Sequence, residues 1–376
     1  MATAYPCPRR PYRSGVPLSP PVLGHRALNR ALLERQLLLR RADLSVPDAV
    51  AHLVGVQAQV PNAPYLGLWS RVAGFDPHDL GRRVAELSLV RMPSLRATIH
   101  LTTVEDALAL PPIVAPLHRR VFQGSEYGRD LAGLDLAEVV ASGLELLRDR
   151  PLTVTELGRE LAERYPGRKP TPLGAAVQYG APLLQLPPRG VWGESGRARL
   201  AQLGRTLGRP VGTDVSADWL VLRYLRAFGP ASTADIRTFT GVGGIREVVE
   251  RLDLRRFADE RGRTLYDVPD GPLPDPDTPA PPRFLGEFDN ALLGHDDRTR
   301  ILATEHRSQV LLKPVRPLLV AGMAAGLWTS GADGLVVRPF APLDDADAAD
   351  VVAEGERLVA ALWPEAERKV RLEPPT

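Results

Sequence analysis

One layout recurs three times along the chain: an amphipathic helix, a short break carrying Ser or Thr, a second and a third short helix, then a pair of strands. The third copy is the clearest. In "ADWLVLRYLRAFGP" Trp219, Leu222 and Leu225 are spaced as one apolar face, and Gly229-Pro230 ends the helix. "ASTADIRTFTGV" follows, with Ser232 or Thr233 able to cap the next helix, then "GGIREVVERL". The strands "LRRFADE" and "RTLYDVP" meet about Arg261-Gly262. Helix, helix, helix and a hairpin is the sequence shape of a winged helix.

The second copy repeats the order. "LAEVVASGLELLRDRP" leads to "LTVTELGRELAERYP", with Thr153 or Thr155 as cap and Glu156 in the first turn, and "RGVWGES" and "RARLAQL" form the expected hairpin about Ser195-Gly196. The first copy runs from "GHRALNRALLERQLLLRRADL" through "SVPDAVAHLVGVQAQ", capped by Ser45 with Pro47 in its first turn, to a strand in "SLRATIHLTT". Beyond the third copy, "VPDGPLPDPDTPAPPR" is a proline-rich acidic connector. Strands are expected in "RFLGEFDNALLG", "RPLLVAGMAAGLWTS" and "GLVVRPFAP", then a terminal helix in "DDADAADVVAEGERLVAALW". The expected fold class is therefore α+β, mainly α: a flexible tail at 1–22, winged helices at 23–125, 126–212 and 213–270, a linker at 271–282, and a small C-terminal β-rich domain at 283–376. Spacing between the copies is irregular, and such units also occur in proteins that never touch DNA, so the repeat speaks for fold more than function.

Composition narrows the class. With 44% hydrophobic and 24% charged residues a substantial core is expected. The single cysteine, Cys7, rules out a disulfide framework or thiolate cluster within the chain and fits a reducing cytoplasm. The segment "MATAYPCPRRPYRSGVPLSPP" lacks the apolar stretch of a secretory signal, and no run reaches the roughly 18 apolar residues of a membrane span, so no membrane partner is expected. A net charge of +2 permits local basic surfaces without a strongly cationic protein.

The first copy ends on an unusual pair. In "AHLVGVQAQVPNAPYLGLW" a helical pattern closes with Gln57 and Gln59 just before Pro61. Residues two apart diverge by about 200° on a helix and share a side only in extended backbone, and Pro61 disfavours helix at Val60. The two amides are thus expected where the helix unwinds. A glutamine amide does not titrate and is no ordinary general base. It can hold a water, or tie down backbone groups at a helix end.

"VGVQAQVPNAPYLGLWSR", "RATIHLT" and "EFDNALLGHDDR" together resemble the winged-helix DNA glycosylases that unhook interstrand crosslinks, the AlkZ-like family. The resemblance runs from about Ala27 to Leu362. It implies three tandem winged helices with a C-terminal β-domain, and a catalytic motif of glutamine, an apolar or small residue, and a second glutamine or an aspartate. Gln57, Ala58 and Gln59 occupy those positions, with alanine in place of a large middle residue. Gln59 rather than aspartate implies cationic N7-alkylated purines as substrate, in double-stranded DNA, with no cofactor and no metal. Around the motif, Tyr65 is expected at the rim and Trp69 in the core, while Arg96 and His100 share one side of a strand and are candidates for DNA contact, with a satisfied core histidine the more usual reading of His100. Arg197, Arg199, Arg261 and Arg263 sit on the hairpins as candidates for backbone or groove contacts, and Arg298 and Arg300 are candidates for phosphate. "GHDDR" makes a poor metal site because its ligands are adjacent with no second cluster. Only Lys169, Lys313 and Lys369 are lysines, and none lies near the motif, which favours a monofunctional enzyme over a Schiff-base lyase. A monomer is expected. The rival expectation is a winged-helix transcriptional regulator, which would bind undamaged DNA and release no base.

Overall fold

The computed structural model describes residues 20–375. The expected tail therefore lies largely outside the described residues. Its last residue, Val22, is in a strand, Val22–Leu23, that pairs in parallel with Ala258 and Asp259. Helix accounts for 45% and strand for 17%, so the fold is mixed with helix predominant.

Local signals set the helix starts. Ser45 accepts from the Asp48 amide and Pro47 stands in the first turn of Val46–His52. Thr153 and Glu156 form a reciprocal capping box on Val154–Arg164, as do Ser232 and Asp235 on Thr233–Thr240. Gly158 and Gly174 let two helices of the second unit meet: a Cβ on either would lie 2.0 Å from the Pro170 carbonyl oxygen or 2.2 Å from that of Val154. The terminal helix spans Asp345–Leu362.

Three sheets are present among the described residues. The hairpin Arg255–Asp259 and Thr264–Asp267 turns at Gly262, which takes the positive φ of 76° that the turn requires. A second sheet joins Arg283–Phe284, Arg316–Val320, Met323–Gly331, Gly334–Pro339 and Val370–Leu372. The third has six strands. Leu89–Pro93 and Ile99–Thr103 of the first unit are fused edge to edge with Leu183–Leu186 and Arg199–Gln202 of the second, through the pair Arg91 and Gln185. Fusion removes two open edges.

Several sequence expectations are corrected here. The second hairpin uses Leu183–Leu186 as its first strand rather than "RGVWGES"; residues 187–198 form a long loop, because Trp192 is drawn onto Tyr65 at 4.8 Å between ring centres. "RFLGEFDNALLG" opens with the expected strand, Arg283–Phe284, but continues into a short helix, Asn290–Leu293. In the helix Asp218–Phe228 the buried stripe is Leu220, Val221, Tyr224, Leu225 and Phe228, with Trp219 and Leu222 only at its edge. Each such burial contributes roughly 1.5–3 kcal/mol.

The units are not independent beads. Leu32 and Leu33, on helix His25–Arg35 of the first copy, belong to the third copy's core together with Leu285, Leu292 and Leu302 of the C-terminal region. The proline-rich connector is pinned along that same helix: the carbonyls of Pro272 and Thr278 accept from Arg35 and Arg30. Arg35 also makes a two-pronged pair with Asp267, at 2.6 and 2.9 Å, with both side chains fully buried. No described helix is long and apolar enough to cross a membrane.

Candidate active site

The glutamine pair lies where the first unit, the third unit and the C-terminal region converge. Val54 and Gly55 take φ of 58° and 84°, which ends the preceding helix and swings the chain into the strand Val56–Gln57. Gln57 pairs with His100, and the Ala58 amide donates to the Ile99 carbonyl at 2.8 Å. Gln57 therefore lies on extended backbone, as its spacing to Pro61 predicted, while the chain bends at Gln59, just past the strand. Gln57 is 6% exposed, whereas Gln59 is open to solvent.

Arg96 organises the contacts around Gln57. It stands in a tight turn, Leu95–Ala97, with φ of 54°, a left-handed conformation that costs a non-glycine residue about 1 kcal/mol or more. From there its Nη2 donates to Gln57 Oε1 (2.5 Å), to Asn290 Oδ1 (2.8 Å) and more weakly to His100 Nε2 (3.3 Å). Its guanidinium lies 4.9 Å from the Phe239 ring centre, and its Nη1 is buried without a hydrogen-bond partner. Burial, reinforced by the charge of Arg298, pushes Arg96 down to about 9, which leaves it cationic at neutral pH.

The remaining partners define each tautomer and rotamer. Burial, and then the neighbouring Arg96 charge, pushes His100 down to about 3, so its ring is neutral. Its Nδ1–H donates to the Thr98 carbonyl (3.1 Å), leaving the Nε2 lone pair to accept from Arg96. Asn290 accepts from Arg96 and donates from Nδ2 to the Gly55 carbonyl (3.0 Å), bracing the turn that delivers Gln57. With a guanidinium donor against it, the Gln57 end facing Arg96 must be oxygen. Gln57 Nε2 has no protein acceptor among the described residues and opens on solvent. Gln59 differs: its Oε1 accepts from the Ile99 amide at 3.2 Å, so one lone pair is tied to the strand and the other is free.

The other expected contacts divide. Tyr65 is not a rim residue: it is 1% exposed, donates to the Gly190 carbonyl at 2.7 Å, and burial raises its phenol well above the usual range. Trp69 is in the core, as expected. His100 is fully buried, and both hydrogens of Arg96 Nη2 are taken within the protein by Gln57 and Asn290; Arg96 stands in the turn before the strand and not on it. Arg197 is exposed with no ion pair among the described residues, while Arg199 donates to the Pro151 carbonyl and lies 3.6 Å from Glu156. Arg261 and Arg263 are engaged by Asp297 at 3.2 and 2.8 Å, and Arg263 also by Asp259 at 2.6 Å. Arg298 is half-buried with its Nε unpartnered, and Arg300 is 3% exposed, donating to the Pro230 carbonyl.

The segment "EFDNALLGHDDR" proves to be a clasp across all three parts. Glu287 holds Arg316, Asp289 holds Arg71, Asn290 holds Arg96, and His295 meets the Phe228 carbonyl at 3.0 Å. Sequence reasoning singled out the segment but missed Asn290, whose partners lie 194 and 235 residues away. No three His, Cys, Asp or Glu side chains among the described residues are grouped to hold a metal.

Taken with this geometry, comparison with known proteins defines the class. A family model described as DNA glycosylase AlkZ-like matches residues 50–361, and the chain belongs to that family of DNA-repair glycosylases. It is similar to an interstrand DNA cross-link repair glycosylase from Streptomyces sahachiroi, with 28% identity over 346 residues, covering 82% of this chain and 88% of the other. Its fold is similar to the solved structure of Streptomyces sahachiroi DNA glycosylase AlkZ, with a TM-score of 0.77 and 23% identity, over 94% of this chain and 100% of that one. Membership in a glycosylase family sets aside the regulator.

Proposed function

We propose that this chain hydrolyses the N-glycosidic bond of cationic N7-alkylated purines in duplex DNA, including purines joined in interstrand crosslinks. The observation that carries the reading is a pair of uncharged amides two residues apart, Gln57 held by Arg96, which Asn290 also engages, and Gln59 exposed with its oxygen on the Ile99 amide. An N7-alkylguanine already carries a positive charge, so its leaving group needs no general acid. As the C1'–N9 bond breaks, its electron pair passes to the base, which departs neutral. Water adds to the oxocarbenium-like C1', gives up one proton to solvent, and leaves an abasic site. Such a reaction asks for positioning and electrostatics rather than a strong base. The three helix-helix-helix-hairpin units are read as winged helices that cradle the duplex, and an open surface suits a crosslink that no closed base pocket admits. Catalysis proceeds without metal or organic cofactor.

The test is release of N7-methylguanine from alkylated duplex DNA, with the Gln57→Ala, Gln59→Ala double variant alongside. Free base from the wild type and a loss of about 100-fold or more in the variant are expected. No free base from either protein would sink the reading.

A further inference from the structure

We propose that Arg96 is the positioning residue of the site, holding the Gln57 amide with its oxygen inward so that Gln57 presents to the reacting water a hydrogen-bond donor and not an acceptor. This rests on the function proposed above and assigns the two glutamines different tasks. Gln57 Oε1 faces the guanidinium at 2.5 Å, and only Nε2 opens outward. Gln59 Oε1 uses one lone pair on the Ile99 amide and keeps the other for solvent. A water accepting from Gln57 Nε2–H and donating to Gln59 Oε1 keeps its second lone pair free to attack C1', and its second hydrogen free to pass to solvent.

Three observations say that Arg96 is built for this task. Its backbone holds a left-handed conformation, with Ala97 beside it at φ 56°, and non-glycine strain of this kind persists where the surroundings over-determine it. Among the described residues its charge has no carboxylate partner: all three acceptors of Nη2 are neutral, so the hydrogen bond to Gln57 meets no competition from an ion pair there. The third is Asn290, which bonds both Arg96 and the Gly55 carbonyl, so guanidinium and glutamine backbone are referenced to one side chain.

The experiment measures single-turnover base release and duplex affinity for Arg96→Met, Arg96→Lys, Gln57→Glu and Gln57→Ala, with thermal melts of each. The Gln57→Glu side chain accepts from Arg96 at least as well as glutamine but has no N–H to present. Expected are a fall of about 100-fold in the chemical rate for Arg96→Met with affinity changed less than about 3-fold, partial recovery in Arg96→Lys, and a loss in Gln57→Glu as deep as in Gln57→Ala. Gln57→Glu at wild-type rate would overturn the donor assignment. Arg96→Met at wild-type rate, or a loss in step with its melting temperature that Arg96→Lys does not recover, would overturn the positioning role. If Gln57→Ala itself retained full activity, the proposed function would fail first, which keeps the two failures apart.

Discussion

Asp289→Ala is the substitution whose cost can be worked most directly from the structure. Asp289 receives two hydrogen bonds from Arg71, at 2.8 and 2.7 Å, with each side chain only 3% exposed. The same carboxylate caps the helix Asn290–Leu293 by accepting from the Ala291 amide at 2.9 Å. Removing it strands a buried guanidinium, which costs about 3–5 kcal/mol, and removes a cap worth about 1 kcal/mol. A loss of about 4 kcal/mol or more is expected against a total of about 5–15 kcal/mol for a typical domain, and for a chain of this length it lowers the melting temperature by about 5 °C. Because Asn290 follows Asp289 directly, base release should fall as well. Urea denaturation followed by tryptophan fluorescence measures the first effect. The double variant Arg71→Leu, Asp289→Leu supplies the control: the stranded charge is gone, so it should be more stable than Asp289→Ala alone. A cost below about 1 kcal/mol for Asp289→Ala, or a double variant less stable than the single one, would refute the reasoning.

Two further outcomes follow from the same contacts. Tyr65→Phe deletes the 2.7 Å hydrogen bond to the Gly190 carbonyl and should cost about 1 kcal/mol in urea denaturation while leaving duplex affinity within about 2-fold; a large affinity loss at unchanged stability would return Tyr65 to the DNA surface. His100, pushed down to about 3 by burial and by Arg96, takes up its proton later than the unfolded chain does at about 6.5. Between those values the unfolded state binds more protons, so this contribution to stability is full above about pH 6.5 and drains away as the pH falls toward 3. His100→Gln should flatten the pH dependence of the urea midpoint in that window, and an unchanged slope would count against the buried neutral ring.

What the sequence made legible was local. The caps at Ser45, Thr153 and Ser232, the hairpin about Gly262 and the terminal helix each depend on residues within a turn or two of one another, and each stands as expected. The extended backbone at Gln57 was legible for the same reason, since Pro61 and the two-residue spacing act locally. What escaped is long-range. Nothing near Arg91 announces that its strand will meet Gln185, 94 residues on, and fuse two hairpins into one sheet. Tyr65 was misplaced because its partners, Gly190 and Trp192, arrive on a loop from the second unit. The ion pairs of Arg261 and Arg263 carry no local sign either, because Asp297 lies more than 30 residues away in sequence.

The placement of charge bears on substrate choice. Among the described residues, the groups within hydrogen-bonding reach of Gln57 and Arg96 are amide, imidazole and backbone, and none is a carboxylate. On the proposed mechanism such a site gives little help to a neutral purine, whose departure requires protonation or a strongly basic pull on water. An N7-alkylated purine brings its own charge and loses it as the bond breaks, so the positive end left at C1' is the only new charge the site must tolerate. The nearest fixed charge, on Arg96, is buried, spread over a guanidinium resting on Phe239, and separated from the reacting face by the Gln57 amide dipole, whose oxygen end it holds inward. A side chain able to donate and accept without titrating fits that requirement better than a carboxylate, which would pair with the guanidinium beneath it and turn away from the water. On the proposed mechanism, a neutral residue at position 57 thus follows from Arg96, and the two act as one device.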